Sequence, residues 1–460
     1  MLGATIEPAL SEPQFAALVD ALAADPERRG DLISFLREDH PHYGERGAAA
    51  IVRMRGWVLL AIARGEVPDD ALIFILEELD TGVDPYLVAA AARALRSYPR
   101  PTAALAPFVM RALGNIRYRD EPVSFADYGE YAISPTDASA VSEVLATLRW
   151  LGPRARDILP QLEPLRAPHG GLPRKLRLDV DRALQAIRSP APEDEPGTHS
   201  CCGTAPNGVR SMSSLPSNSR RGTKQIESIA LQDQKGELIT FKEYFHGQPS
   251  IVVFFYTRCD NPMKCSLTVA KLARVQKLLE VQGLVDRIHT AAITYDPAFD
   301  LPERLRVYGQ DRGVRMDAGH RMLRVIADND NDVLRRHFEL GVNFIESLVN
   351  RHRIEAYILD AQGRIAVSFE RLHWDEEQVV IRTVEMLKEK SVVAAVKRNV
   401  SIDRCLAIRN SHRTGRVPTT MSALSFTSFP PSRRVRFAPG ADIRPMPAFI
   451  STHTSARRSF

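Results

Sequence analysis

The chain has 460 residues, of which 44% are apolar and 25% are charged, so it is long enough for two or three domains of ordinary globular composition. Five cysteines in a chain of this length exclude a small scaffold stabilised mainly by disulfides. The net charge of +5 comes from residues 391–460, where twelve Lys and Arg face two Asp, so the remainder is acidic and gives no sign of nucleic-acid binding.

The N-terminal sequence gives no recognisable targeting signal. Its start, MLGATIEPALSEPQF, lacks both the basic segment and the long apolar core of a secretory signal. No stretch of the chain reaches the ~18 uninterrupted apolar residues that a membrane-spanning helix needs. We therefore expect neither a signal peptide nor a transmembrane segment in this sequence.

Residues 1–189 have the pattern of an all-helical domain. Apolar residues recur at three- and four-residue spacing, and glycines and prolines mark the helix ends. Segments 88–109 and 141–162 resemble each other, since each has an Ala/Leu-rich helix, a proline-containing turn and a second helix. Such paired helices predict HEAT-like repeats, with a plain helical bundle as the alternative. No catalytic constellation is evident here, so we expect this domain to bind a protein partner.

Two segments lack the periodicity of folded elements. Residues 190–225 are rich in Pro, Ser and Gly and are predicted to form a linker, which carries Cys201 and Cys202. Residues 391–460 are polar, Pro-rich and Arg-rich and are predicted to be a disordered basic tail, which contains Cys405. The tail is interpreted either as a basic binding segment or as a non-native C-terminus.

Residues 226–390 change to a mixture of strand and helix patterns. The apolar, β-branched and aromatic run 250–257 is typical of a buried strand, and 287–297 predicts a second one. Between them, an amphipathic segment predicts a helix that ends at Gly283. The predicted order β-β-β-α-β-α-α-β-β-α describes an α/β domain.

Cys259 and Cys265 lie in the segment that joins the 250–257 strand to the following helix. The carboxyl end of a central strand is where α/β sheets usually bind ligands. A helix N-terminus, together with Arg258 and Lys264, would favour the thiolate, which is both a nucleophile and a ligand for soft metals. The spacing matches neither a CxxC redox motif nor a zinc knuckle. From these residues alone a metal site, a redox dithiol and two packed thiols all remain open.

His352 is the third candidate residue of this site. It comes just before the predicted strand 356–359, which in a thioredoxin-like sheet runs beside the strand that leads to the active site. Thioredoxins and peroxiredoxins have a cis-proline at this place, whereas residues 340–360 contain no proline. We therefore expect His352 to face the cysteines and do not expect an ordinary thioredoxin. His320 and His337 are predicted to lie on polar helix or loop faces.

Four segments in this order resemble the SCO/SenC family, the thioredoxin-fold copper proteins that help assemble the CuA site of cytochrome c oxidase. They are FKEYFHGQPSIVVFFYTRC, ITYDPAFDLPERLRVYG, the histidine ahead of ILDAQGR, and the closing helix. Together they cover about residues 226–389. The resemblance implies a thioredoxin-like, SCO-type fold, with copper bound by Cys259, Cys265 and His352.

The resemblance also implies surroundings for the copper site and a partner. Asp296 and Asp300 are expected to shape a loop near the site. The family usually faces outside the cytoplasm, anchored to a membrane, which implies that location and a copper-acceptor protein such as an oxidase subunit. Two departures stand out: the cysteines follow a CxxxxxC rather than the common CxxxC spacing, and Arg351 replaces the usual Asp before the histidine. The positive charge of Arg351 is expected to weaken Cu(II) binding.

Three functions are compatible with these residues. The favoured one is a metallochaperone that holds Cu(I) or Cu(II) on two thiolates and one imidazole. The alternative is a thiol–disulfide oxidoreductase that uses the Cys259–Cys265 dithiol catalytically without stored metal. A third, a scaffold with a vestigial α/β domain, is disfavoured because both cysteines are present. Cys201 and Cys202 are interpreted either as a thiol pair that hands copper or electrons to the main site or as incidental.

Overall fold

The computed structural model describes residues 10–125, 138–190, 223–346 and 348–387. The described residues belong to one compact unit. Most of the predicted linker, with Cys201 and Cys202, lies outside them, and so does the predicted tail with Cys405.

The N-terminal part, called the helical region below, is built from helices as predicted. Its α-helices are α1 (Glu12–Ala24), α2 (Ala48–Ile62), α3 (Asp69–Thr81), α4 (Pro85–Leu95), α5 (Ala106–Ile116), α6 (Ala140–Leu151), α7 (Leu159–Leu162) and α8 (Arg174–Arg188). Helices α1 and α4 begin at side-chain N-caps. Ser11 accepts a hydrogen bond from the N–H of Gln14, and Asp84 accepts one from the N–H of Leu87.

The helices of this region stack in two layers around one apolar core. Helices α2, α4, α6 and α8 pack side by side, while α3 and α5 pack against each other and against α4 and α6. The buried faces are rich in Ala, Leu, Val and Ile and form one continuous cluster. Stacked helical hairpins produce such layers. The assignment to HEAT-like repeats itself stays a prediction.

The second part, called the sheet domain, contains both strands and helices. Its strands are β1 (Ala230–Asp233), β2 (Leu238–Thr240), β3 (Ser250–Phe255), β4 (His289–Thr294), β5 (His320–Val325), β6 (Val342–Ile345), β7 (Leu348–His352), β8 (Glu355–Leu359) and β9 (Ile365–Glu370). Its helices are α9 (Thr223–Glu227), α10 (Phe241–Phe245), α11 (Leu267–Val281), α12 (Pro302–Asp311), α13 (Asp328–Phe338) and α14 (376–387).

Seven of these strands form one sheet in the order β2-β1-β5-β4-β3-β8-β9, and β6 and β7 pair separately. Strand β3 runs parallel to β4, with Ser250 opposite His289, and antiparallel to β8, with Ser250 opposite Leu359. All residues of β3 are buried, which explains its continuous apolar sequence. The predicted thioredoxin-like α/β architecture is confirmed. Within the described part of the chain, no helix combines the length and apolar character needed to cross a bilayer.

The position of His320 in strand β5 differs from the one expected from the sequence. The sequence predicts His320 on a polar surface, but His320 is 1% exposed in this strand and its Nδ1 lies 2.9 Å from the hydroxyl of Thr290. The prediction is wrong because Arg321 and Arg324 interrupt the apolar pattern of the strand. Arg321 is accommodated by a salt bridge to the buried Asp233 of β1.

Candidate metal centre

Residues 256–266, called the cysteine segment below, follow directly from the central strand β3. At Pro262–Ser266 the chain makes a single π-helical turn, which continues into α11. The side chain of Asn261 begins this turn by accepting a hydrogen bond from the N–H of Met263 at 2.9 Å. Such turns are rare and often occur at functional sites. Here the turn contains Cys265, whereas Cys259 stays in the preceding loop.

The structure brings Cys259, Cys265 and His352 together. Nε2 of His352 lies 3.6 Å from Sγ of Cys259 and 3.4 Å from Sγ of Cys265. The three potential ligand atoms all lie within 4.8 Å of one another, which makes this the one such group of three found in the described ranges. A single ion could therefore contact two sulfurs and one nitrogen after small side-chain movements.

The orientation of His352 suits a ligand. The residue ends β7, and its Nδ1 lies 2.9 Å from the carbonyl oxygen of Arg353. A carbonyl oxygen can only accept, so Nδ1 carries the proton, and in the neutral ring Nε2 then presents its lone pair to the sulfurs. Metal-binding histidines usually have such a second hydrogen bond. The rings of Tyr256 and Tyr295 lie 5.4 and 5.3 Å from the imidazole and enclose it.

The two thiols differ in exposure and in acidity. Cys265 is fully buried, whereas Cys259 is partly exposed. The hydrogen bond with Cys265 lowers the pKa of Cys259 to about 3, against the opposing effect of burial and with a further contribution from His352. Burial, followed by the neighbouring Cys259, raises the pKa of Cys265 well above its usual range. At neutral pH the pair therefore consists of a thiolate on Cys259 and a thiol on Cys265.

The two aspartates expected near the site both contact the cysteine segment. Asp300 is buried and accepts a hydrogen bond from the N–H of Thr257 at 3.1 Å, besides those from the hydroxyls of Thr257 and Thr294. Asp296 forms a salt bridge with Arg258. These contacts join the end of β3 to the loop after β4. The positive charge of Arg258 is thus directed at a carboxylate rather than at the thiols.

Two glutamates of α3 reach the site from the helical region. Nζ of Lys264 donates to the carbonyl oxygen of His352 at 2.8 Å and lies 3.4 Å from Oε1 of Glu77. Arg351 forms a salt bridge with Glu78. The charge of Arg351, which was expected to disfavour Cu(II), is therefore compensated within the protein.

Glu77 and Glu78 are not among the site residues predicted from the sequence, although the sequence contains one signal for Glu78. Glu78 follows Phe74 and Ile75 by four and three residues, so it falls on the apolar face of α3. Both carboxylates are at most 4% exposed. Acidic residues on an apolar helix face indicate cationic partners, but the helix alone does not reveal that those partners come from residues 264 and 351.

A comparison with protein-family models matches residues 218–388 to the SCO1/SenC family. No curated protein matches the chain by sequence.

Among solved structures, an SCO1/SenC family lipoprotein from Bacillus anthracis is 20% identical, with a TM-score of 0.31 over 35% of this chain and 94% of that chain. Copper-bound yeast Sco1 is 24% identical, with a TM-score of 0.29 over 35% of this chain and 86% of that chain. Copper-bound ScoI from Arabidopsis thaliana is 18% identical, with a TM-score of 0.30 over 35% and 96%. The match of 218–388 covers the whole described sheet domain, which is accordingly an SCO1/SenC domain.

Proposed function

We propose that this protein is a copper-binding metallochaperone of the SCO/SenC type, which holds one copper ion on Cys259, Cys265 and His352. The observation that carries the proposal is the convergence of two sulfurs and one imidazole nitrogen within 4.8 Å, inside an SCO1/SenC domain. Two thiolates and one imidazole suit the soft Cu(I) ion and can also hold Cu(II). The existing thiolate on Cys259 provides the first ligand without prior loss of a proton.

The unequal exposure of the ligands supports delivery rather than permanent storage. Cys265 and His352 are buried, whereas Cys259 is partly exposed. An acceptor protein could approach through Cys259 and exchange its own ligand for this thiolate while the two buried ligands still hold the ion. We propose a copper-acceptor subunit of a respiratory oxidase as this partner, with delivery to the CuA centre as the purpose.

The chain organisation forms part of the same proposal. We propose a HEAT-like domain over 1–189, a linker over 190–225, the copper domain over 226–390 and a tail over 391–460. The helical domain would serve as a docking module for a protein partner.

A thiol–disulfide oxidoreductase is the second candidate, and the low pKa of Cys259 favours it. The Cys259 thiolate would attack a substrate disulfide and release one substrate thiolate. Cys265, after losing its proton, would attack the mixed disulfide and release the second one, which leaves an oxidised Cys259–Cys265 pair and a reduced substrate. In this chemistry His352 would act only by helping to lower the pKa of Cys259, whereas a copper site uses it as a ligand, which is why copper binding is preferred.

A copper titration of the reduced full-length chain tests the proposal. After desalting, metal analysis should find one copper per chain, and none in Cys259→Ser or Cys265→Ser. Cys405→Ser is the matched control and should retain one copper. A reduced wild-type chain that retains no copper, or retains only zinc when both metals are offered, would contradict the proposal. Turnover of a disulfide substrate that is unchanged in His352→Ala would favour the oxidoreductase.

A further inference from the structure

The hairpin that carries His352 lies outside the seven-stranded sheet. Strands β6 and β7 pair only with each other, in a separate two-stranded ladder. Isolated two-stranded hairpins are marginally stable in water, so side-chain contacts must fix this one. At its base, Arg353 forms a salt bridge with the buried Glu355, which also accepts a hydrogen bond from the N–H of Gly341. The remaining length of the hairpin needs a second support.

The helical region supplies that support along β7. The side-chain amide of Asn350 donates to the carbonyl oxygen of Arg46 at 2.7 Å. The N–H of Glu346 donates to Oε2 of Glu45 at 2.9 Å. One residue before the histidine, the salt bridge of Arg351 reaches α3. The position of His352 is therefore set partly by residues outside the SCO1/SenC domain.

The cysteine segment is bound to the same helix. The side-chain amide of Asn261 donates to the carbonyl oxygen of Thr81, at the end of α3, at 2.8 Å. Lys264 contacts both Glu77 and the main chain of His352. Helix α3 thus holds both halves of the candidate metal centre, the loop with the thiols and the strand with the imidazole.

The charges at this contact are complementary and mostly buried, and the most exposed side chain among them is Arg351 at 17%. The helical region contributes carboxylates and one internal cation, and the sheet domain contributes cations. The members of this interface cluster are Glu38, Arg55, Glu77, Glu78, Lys264, Arg351 and Arg371. Because buried charges are costly unless paired, the cluster is favourable only when the two parts are correctly placed against each other.

We propose that Glu77 and Glu78 are positioning residues of the metal centre, which hold the His352 strand against the cysteine segment from outside the SCO1/SenC domain. This inference rests on the proposed copper function. Glu77 acts through Lys264, and Glu78 acts through Arg351. Loss of both carboxylates removes the ion-pair partners of these cations on α3 and so loosens the hairpin near His352, where the imidazole is then less firmly held beside the thiols.

The two oxidation states of copper should respond differently to this loss. Cu(I) is soft and is satisfied chiefly by the two thiolates, whereas Cu(II) depends more on the nitrogen ligand. Changes in residues that orient a ligand typically lower metal affinity by ~10–100-fold. The variant Glu77→Gln/Glu78→Gln should therefore bind Cu(II) ~10–100-fold more weakly and bind Cu(I) within ~3-fold of wild type.

The test compares full-length variants with the bare metal ions as probes. Glu143→Gln is the matched control, because Glu143 is a buried carboxylate paired with Arg96 inside the helical region. His352→Ala sets the limit for complete loss of the nitrogen ligand. Cu(II) affinity is measured by competition with a chelator, and nitrogen coordination is measured by electron paramagnetic resonance. The double glutamate variant should approach His352→Ala in both measurements, while Glu143→Gln should match wild type.

The possible results separate this inference from the function on which it rests. A double variant with the Cu(II) affinity and nitrogen signal of Glu143→Gln contradicts the positioning role, although wild type binds copper. A wild-type chain without copper contradicts the proposed function itself. If the double variant fails to fold, Asn350→Ala should still lower Cu(II) affinity more than Cu(I) affinity, because it removes the half-buried hydrogen bond to Arg46 and a second one to Asn343 within the hairpin. An equal effect on both ions would overturn the inference.

Discussion

The helical region and the sheet domain bury charge in different ways. Among the described residues of the helical region, the interior is apolar except for a few charged side chains, and all of these except Asp80 and Glu143 belong to the interface cluster. The sheet domain instead buries polar groups around the end of β3, including Asp300 and His352, next to that cluster. Most of the buried charge of the helical region thus lies at the boundary between the two parts, and the candidate metal centre lies at this boundary.

The largest expected effect comes from removing the sheet domain's Arg371 from the interface cluster. Its guanidinium pairs with Glu38 and Glu77 at 3.0 and 2.9 Å. Arg371→Ala should destabilise the protein by about 3 kcal/mol, the lower end of the cost of breaking a buried ion pair, because each carboxylate loses its shorter pair. Glu38 keeps its pair with Arg55 and Glu77 keeps its pair with Lys264, both at 3.4 Å. Chemical unfolding of the full-length chain measures this loss. Arg382→Ala, which removes an exposed pair with Glu385, is the control and should change stability by about 1 kcal/mol or less. Equal effects of the two substitutions would mean that the cluster does not join the two parts.

Removing a ligand of the metal centre should lower copper affinity without weakening the interface cluster. Cys265→Ser removes a buried sulfur and should lower Cu(I) affinity more than ~100-fold, since even residues that only orient a ligand are worth ~10–100-fold. The cluster does not include Cys265, so unfolding of the helical region should keep its wild-type midpoint. Cu(I) competition titration checks the first expectation. Hydrogen exchange of the α1 to α6 amides, followed by mass spectrometry during chemical unfolding, checks the second. A large shift of that midpoint would show that the centre and the boundary cannot be treated separately.

Packing at the base of the His352 hairpin gives a smaller effect. A Cβ atom on Gly341 would lie 2.5 Å from Cδ of Arg353, and the guanidinium of Arg353 is held by Glu355 and Glu370. Gly341→Ala should therefore destabilise the sheet domain by about 1–3 kcal/mol, as forced overpacking does. Thermal unfolding measures it, with Gly114→Ala in α5, where a Cβ meets nothing within 4 Å, as the control. Equal or greater stability of Gly341→Ala would contradict the tight packing of Arg353.

The low pKa of Cys259 predicts that the rate at which this residue is alkylated does not depend on pH. Its pKa of about 3 keeps the thiolate throughout the range from pH 5 to 8, so the alkylation rate of the reduced, metal-free protein should change less than ~2-fold. An ordinary thiol with a pKa of about 8.5 would react ~10-fold more slowly for each pH unit below that value. Mass spectrometry of iodoacetamide-treated protein measures the rate at Cys259. A rate that falls ~10-fold per unit would contradict the assigned thiolate.

Much of the sheet domain could be predicted because its signals are local. The apolar run of β3, the position of the two cysteines at its end and a histidine in place of proline are all visible in the sequence. These features led to the three residues that the structure brings together. Asp296 and Asp300 could be identified because they belong to the segment that resembles the family.

The contribution of the helical region could not be predicted, because it depends on how two distant parts of the chain pack. Glu77 and Lys264 are 187 residues apart, and Glu78 and Arg351 are 273 residues apart. A sequence pattern shows that each is charged but not that each is buried against the other. For the same reason the charge of Arg351, treated in isolation, suggested weaker Cu(II) binding, whereas the structure pairs it with a carboxylate.

The most direct test of the central claim is the coordination shell of bound copper. X-ray absorption spectroscopy of the reduced full-length chain loaded with one Cu(I) should show two sulfur ligands and one nitrogen ligand. In His352→Ala the nitrogen should disappear while both sulfurs remain. A shell without sulfur, or a wild-type spectrum that is unchanged in Cys259→Ser, would contradict the assignment of copper to these three residues.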